Sequence, residues 1–132
     1  MNGPIPASWA PYLLSVLRIT AAFSFMTHGT AKLFAWPVAQ PRAAAALLSL
    51  AGVAGVLEVV GGLLLLLGFF TRPVAFLLSG QMAAAYFMSH AARGFFPTLN
   101  AGEPAYLFCF IWLLIAAAGP GAWSLDAAWR RS

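Results

Sequence analysis

The chain has 132 residues, 62% of them hydrophobic and only 8% charged, with a mean hydropathy of +0.86. A soluble domain needs about a quarter of its residues charged to face water, so the composition implies a single integral membrane domain over residues 1–132. One cysteine, Cys109, excludes an internal disulfide and a thiolate metal or iron–sulfur centre, and the net charge of +4 comes from scattered cations with no aromatic-interleaved basic run, which excludes nucleic acid.

A bilayer core takes about 20 apolar residues per helix. Four segments meet that need, at about 9–34, 50–70, 73–92 and 104–118, and they predict an all-α fold, an integral membrane four-helix bundle. The first segment lacks the basic start and small-residue cleavage site of a signal peptide and reads as retained. Between the first two, Trp36, Pro37, Pro41 and Arg42 mark an interfacial loop with a short surface helix over Ala43–Leu48. Thr71-Arg72-Pro73 is a tight break in which Pro73 opens the third helix, because its missing N–H would be orphaned there anyway. Pro104 opens the fourth helix in the same way, and Gly119-Pro120-Gly121 ends it. Phe25-Met26-Thr27-His28 and Phe87-Met88-Ser89-His90 echo one another near the ends of the first and third spans, as a repeat of two helical hairpins would.

Ionisable groups at membrane depth are costly and face the bundle interior, so each is a functional candidate. At about 1.5 Å of rise per residue, Arg18 lies roughly 13 Å from Trp9, Glu58 roughly 18 Å from Phe70, Gln81 roughly 12 Å from Pro73 and Tyr86 roughly 20 Å from Pro73. These depths predict a buried Arg18–Glu58 ion pair with Gln81 beside it in a polar core, either as a staple that fixes helix register or as a relay. A second cluster forms at the opposite face. His28 and His90 lie roughly 25–28 Å from the terminal side, Lys32 and Arg93 follow about one turn later, and Asn100 and Glu103 lead into the fourth span. His28, Lys32, His90, Asn100, Glu103 and Tyr86 are therefore the candidate ligand-binding set. Lys32 and Arg93 also suit snorkelling to lipid headgroups, and Glu103 suits a helix dipole. The two histidines could in principle clasp a haem, but no haem-specific spacing accompanies them, and a quinone head with its two carbonyls fits the donors better. No metal site is expected, and no hydrolase, P-loop or metalloprotease motif is present to name catalytic residues.

Leu17-Arg18, His28-Gly29-Thr30-Ala31-Lys32, Glu58-Val59-Val60-Gly61-Gly62, Thr71-Arg72-Pro73, Met82 with Ala83 to Ala85, Phe96 to Glu103, and Gly119-Pro120-Gly121-Ala122-Trp123-Ser124-Leu125-Asp126 together resemble the DoxX family, related to DoxD-like and MauE-like proteins. The resemblance spans nearly the whole chain. It implies a small four-helix membrane protein that accompanies redox or stress-response systems, and it carries over no common reaction.

Two functions follow. One is an accessory redox component that binds a quinone-like molecule through His28, His90, Lys32 and Glu103, with Phe87, Phe95 and Tyr86 against its ring. The other is a non-catalytic scaffold for a partner membrane or redox protein, or a homo-oligomer, using Gly52, Gly55, Gly61 and Gly62 for close helix approach. A small-solute transporter is weaker, since one polar zone is little for a pathway. Basic residues divide three against three between the two sides, so the expected cell (inner) membrane location, with both termini cytoplasmic, rests on Arg130-Arg131 following the last span.

Overall fold

The computed structural model describes residues 3–38 and 48–132, so most of the surface helix expected over 43–48, with Pro41 and Arg42, lies outside the described residues. The described residues form helices and no strands, and five of the helices are α-helical: α1 (Ala10–Phe34), α2 (Leu50–Leu67), α3 (Thr71–Ala85), α4 (Glu103–Ala118) and α5 (Leu125–Arg131). The helix α5 has no counterpart in the four expected spans. The third span also differs from expectation. Its α-helix stops at Ala85 and continues as a π turn over Tyr86–His90 and a 3₁₀ turn over Ala91–Arg93.

Two antiparallel hairpins make the bundle, α1 with α2 and α3 with α4. The first is sealed by glycine. A Cβ on Gly29 would meet the Gly55 carbonyl at 2.8 Å and Glu58 Cβ at 2.9 Å, so only hydrogen at that position lets α1 lie against α2. Gly62 likewise faces Met26, and Gly61 faces Leu78. Gly55, Gly61 and Gly62, three of the glycines that offered close helix approach, are thus used within the chain. In the second hairpin, Ser79 Oγ donates to the Cys109 carbonyl at 2.7 Å, and Arg72 Nη1 donates to the carbonyls of Ala116 and Ala117 at the end of α4. Between the hairpins sits an aromatic core. Trp112 meets Phe25 edge-on at 5.4 Å and stacks on Phe108 at 5.9 Å, with Leu65, Leu78 and Ile115 fully buried around them. The repeat suggested by the sequence does not carry through to environment, because Phe25 is buried in α1 whereas Phe87 is 72% exposed on the π turn.

The outward faces are as apolar as the core. Leu63, Leu67, Phe76, Leu77, Phe110 and Leu114 are all exposed, a surface suited to lipid rather than water. Two helical stretches are long and apolar enough to cross a membrane, Ala7–Phe34 and Leu50–Leu67, and at 28% and 33% buried neither is the enclosed core helix of a soluble protein. The helix α4 is apolar but shorter, bounded by Glu103 and Gly119, and α3 carries Ser79 and Gln81 before its π turn.

The C-terminal segment locks the end of the bundle opposite the π turn. Asp126 caps α3 from a distance, its carboxylate oxygens accepting from the backbone N–H groups of Phe70 and Thr71 at 2.9 Å each. Partial burial raises the Asp126 carboxyl, but hydrogen bonds from Thr71 and Phe70 and the charge of Arg130 outweigh it and hold the group below the usual carboxylate range. A carboxyl depressed in the folded state contributes stability above its unfolded value, near 3.9, and loses it as pH falls through the lower folded value. Asp126→Asn is accordingly expected to cost about 1 kcal/mol at neutral pH, the usual worth of a cap. It should also remove part of the stability that the parent loses below about pH 4. Thermal unfolding in detergent across pH 3–7 measures both.

Candidate functional site

All four long helices converge on one cavity of about 260 Å³ at the π-turn end of the bundle. Phe25, His28 and Lys32 recur at three- and four-residue spacing on one face of α1, which is why a single helix delivers all three. Glu58 comes from α2, Met82 and Ala85 from α3, His90 from the π turn, and Pro104, Ala105 and Phe108 from α4. The floor is aromatic, with the His28 ring set edge-on to Phe108 at 6.0 Å.

The charge at its centre is paired differently from the sequence expectation. Lys32 Nζ contacts Glu58 Oε1 at 2.6 Å, with Glu58 1% exposed and Lys32 33% exposed. Gln81 Nε2 adds donations to the Ala54 carbonyl at 3.3 Å and to Glu58 Oε1 at 3.4 Å. Arg18 is elsewhere. Its guanidinium donates to the carbonyls of Leu65, Pro120 and Trp123, with Nε to Leu65 at 2.8 Å. The expected Arg18–Glu58 pair is therefore replaced by Lys32–Glu58 and a separate carbonyl clasp. Helix register explains it. On α2, Glu58 packs at Gly29 and Gly68 packs at Arg18, ten residues or about 15 Å apart along the helix. Depth counted from Trp9 misled because α1 extends about two turns beyond the end of α2, so the two starting points are not level.

Of the six candidate ligand residues, His28, Lys32 and His90 line the cavity, and Tyr86, Asn100 and Glu103 do not. Tyr86 and Asn100 hold its rim. The Tyr86 hydroxyl donates to the Phe95 carbonyl at 2.7 Å and accepts from Asn100 Nδ2 at 3.1 Å. Asn100, 1% exposed, also donates to the Gly94 carbonyl and accepts from Gly102 N–H. Glu103 is exposed in the first turn of α4 and borders a different, apolar hollow with Leu107 and Ile111. His90 Nδ1 lies 3.2 Å from the Asn100 carbonyl. That oxygen can only accept, so Nδ1 carries the proton and the neutral ring keeps Nε2 as an acceptor.

The chemistry available is that of a polar recognition site over an aromatic floor. Glu58 Oε2 and Gln81 Oε1 are buried with no hydrogen-bond partner. A flipped Gln81 would set its oxygen against the Ala54 carbonyl and Glu58, so the orientation with Oε1 unpaired is the favourable one. An unpaired buried acceptor is costly and asks for a donor. Lys32 has ammonium hydrogens left after its bond to Glu58 and offers the complementary donors. Among the described residues no three His, Cys, Asp or Glu side chains lie together as a metal site would need.

A family model named DoxX matches residues 13–91, more than half the chain. The chain belongs to the DoxX family. The matched stretch of this DoxX protein contains Arg18, His28, Lys32, Glu58 and His90 and ends before α4. An uncharacterized protein of Haemophilus influenzae is 45% identical over 122 residues, covering 89% of this chain and 91% of that protein. No solved structure matches. Family membership and the lipid-suited helix faces together make this a membrane protein.

Proposed function

We propose that this DoxX protein is a multi-pass inner-membrane protein, crossing four times with both termini cytoplasmic, that serves as an accessory component of a membrane redox or stress-response system. Its part is to hold the head of a quinone-like molecule. The observation that carries this reading is the unpaired, 99%-buried Glu58 carboxylate oxygen in a cavity that also offers Lys32, His28 and His90. A ring bearing two oxygens would find donors at Lys32 and His28 and, where it carries a hydroxyl, acceptors at Glu58 and His90 Nε2. At about 260 Å³ the cavity lies just below the usual range for drug-sized ligands, a size for one substituted ring rather than a haem. Phe25 and Phe108 supply the apolar wall against which such a ring stacks.

The scaffold reading loses much of its support, since Gly55, Gly61 and Gly62, three of the four glycines it rests on, meet neighbours within the chain. A solute pathway is disfavoured by the Phe25–Trp112–Leu65 layer, at most 1% exposed, between the cavity and the Arg18 end.

The test is a titration of the detergent-purified, delipidated protein with a short-chain benzoquinol, kept reduced so that its hydroxyls can donate to Glu58, read by tryptophan fluorescence, since Trp112 stacks on Phe108 at the cavity floor. Saturable binding is expected. Glu58→Gln and His28→Ala should each weaken it about tenfold, a loss of about 1.4 kcal/mol, while Arg93→Gln leaves it unchanged. Quenching that never saturates, or that Glu58→Gln leaves intact, would overturn the proposal.

A further inference from the structure

At the opposite end of the bundle from the cavity, two grooves of about 310 and 380 Å³ meet at the same two side chains, Arg72 and Arg130. The walls of one are Phe69, Phe70 and Trp129, and those of the other include Pro11 and Leu14. The aromatic wall is open, with Trp129 71% exposed, Phe70 59% exposed, and the Phe69 and Trp129 rings 5.9 Å apart. Two cations shared by two apolar grooves, at the end of a membrane bundle, suit a lipid phosphate whose two acyl chains part into the grooves.

The neighbouring charges favour an anion. Arg72 uses Nη1 to cap the carbonyls of Ala116 and Ala117, which leaves its other N–H groups for a ligand. Arg130 donates no hydrogen bond among those the described residues make. Asp126 is the one carboxylate lining either groove, and its two oxygens already accept from Phe70 and Thr71. Arg131 adds a further positive charge one residue on. Basic pockets at a membrane face recognise anionic lipid heads through such charge-assisted bonds, and arginine does so bidentately.

We infer that Arg72 and Arg130 form a binding site for the phosphate of an anionic phospholipid, with Phe70 and Trp129 bordering one groove and Pro11 and Leu14 the other. The site is independent of the quinone-like ligand. It fastens α5, a helix of only seven residues, and through it the C-terminal lock, to the lipid leaflet on the side of the chain ends.

Native mass spectrometry of the delipidated full-length protein, offered an equimolar mixture of phosphatidylglycerol and phosphatidylcholine, tests this. At least tenfold preference for phosphatidylglycerol is expected, reduced several-fold by Arg130→Gln and abolished by Arg72→Gln/Arg130→Gln. Arg93→Gln, at the other end of the bundle, should keep the full preference. Arg130→Gln removes no hydrogen bond from the fold, and an unchanged circular dichroism spectrum separates its effect from misfolding. Equal binding of the two lipids, an equal loss in Arg93→Gln, or complete displacement of the lipid by millimolar inorganic phosphate would each overturn the assignment.

Discussion

Lys32→Met is expected to destabilise the protein by about 3 kcal/mol, and adding Glu58→Gln is expected to recover most of that loss. Removing one partner of a buried ion pair strands the other charge, which costs about 3–5 kcal/mol. The lower end applies because Lys32 keeps 33% of its side chain exposed at the cavity mouth. Converting Glu58 to an amide removes the stranded charge, and replacing both members of such a pair by neutral groups is often nearly neutral. The measurement is thermal unfolding in detergent for the two single variants and the double variant. A coupling within about 0.5 kcal/mol of zero would mean that Lys32 and Glu58 act independently, and the pairing at the centre of the site would be wrong. The same set separates stability from binding. Lys32→Met/Glu58→Gln should fold and yet fail to bind a benzoquinol, which a purely structural pair would not require.

Much of this site was legible because helical spacing is a local property. His28 and Lys32 stand four residues apart, and polar groups that recur on one face of an apolar helix must share a destination. Their convergence with His90 followed from counting rise along two helices that run the same way. The pairing of Glu58 was not legible, because it depends on how far α1 slides along α2. That offset is set by Gly29 against Gly55 and Glu58, a steric fit between segments that neither span encodes alone. Tyr86 and Asn100 stand at the rim rather than in the cavity lining for a related reason. A periodic apolar run gives no sign that the α-helix yields to a π turn at Tyr86, and that turn directs the Tyr86 hydroxyl to Phe95 and Asn100. The helix α5 was missed because seven residues after a Gly-Pro-Gly break carry too little periodicity. Its local signals are Ser124, which accepts from Ala127 N–H as an N-cap, Asp126 in the first turn, and Arg130 and Arg131 in the last.

Arg18→Met is expected to cost at least about 4 kcal/mol and to do so at the C-terminal lock rather than at the cavity. The guanidinium, 1% exposed, is the shared donor for the carbonyls of Leu65, Pro120 and Trp123. A buried carbonyl left without a partner costs about 1–3 kcal/mol. Leu65 is partly relieved by Gly68 N–H at 3.2 Å, and Pro120 by the Ser15 hydroxyl at 3.3 Å, whereas no other donor among the described residues reaches Trp123. Arg18→Lys should recover only a fraction, because one ammonium cannot reproduce a planar fork directed at three carbonyls. Hydrogen exchange would locate the damage. Ala122 N–H bonds to the Pro11 carbonyl and Asp126 N–H to the Gly68 carbonyl, and both amides should lose protection while those of α2 near Glu58 keep theirs. Combined with Glu58→Gln, Arg18→Met should show simple additivity, within about 0.5 kcal/mol. Strong coupling would instead restore the direct pairing that the register of α1 on α2 rules out. The two charged centres of this bundle thus do separate work: Arg18 fastens the end of the chain, which leaves Glu58 paired with Lys32 and available to a ligand.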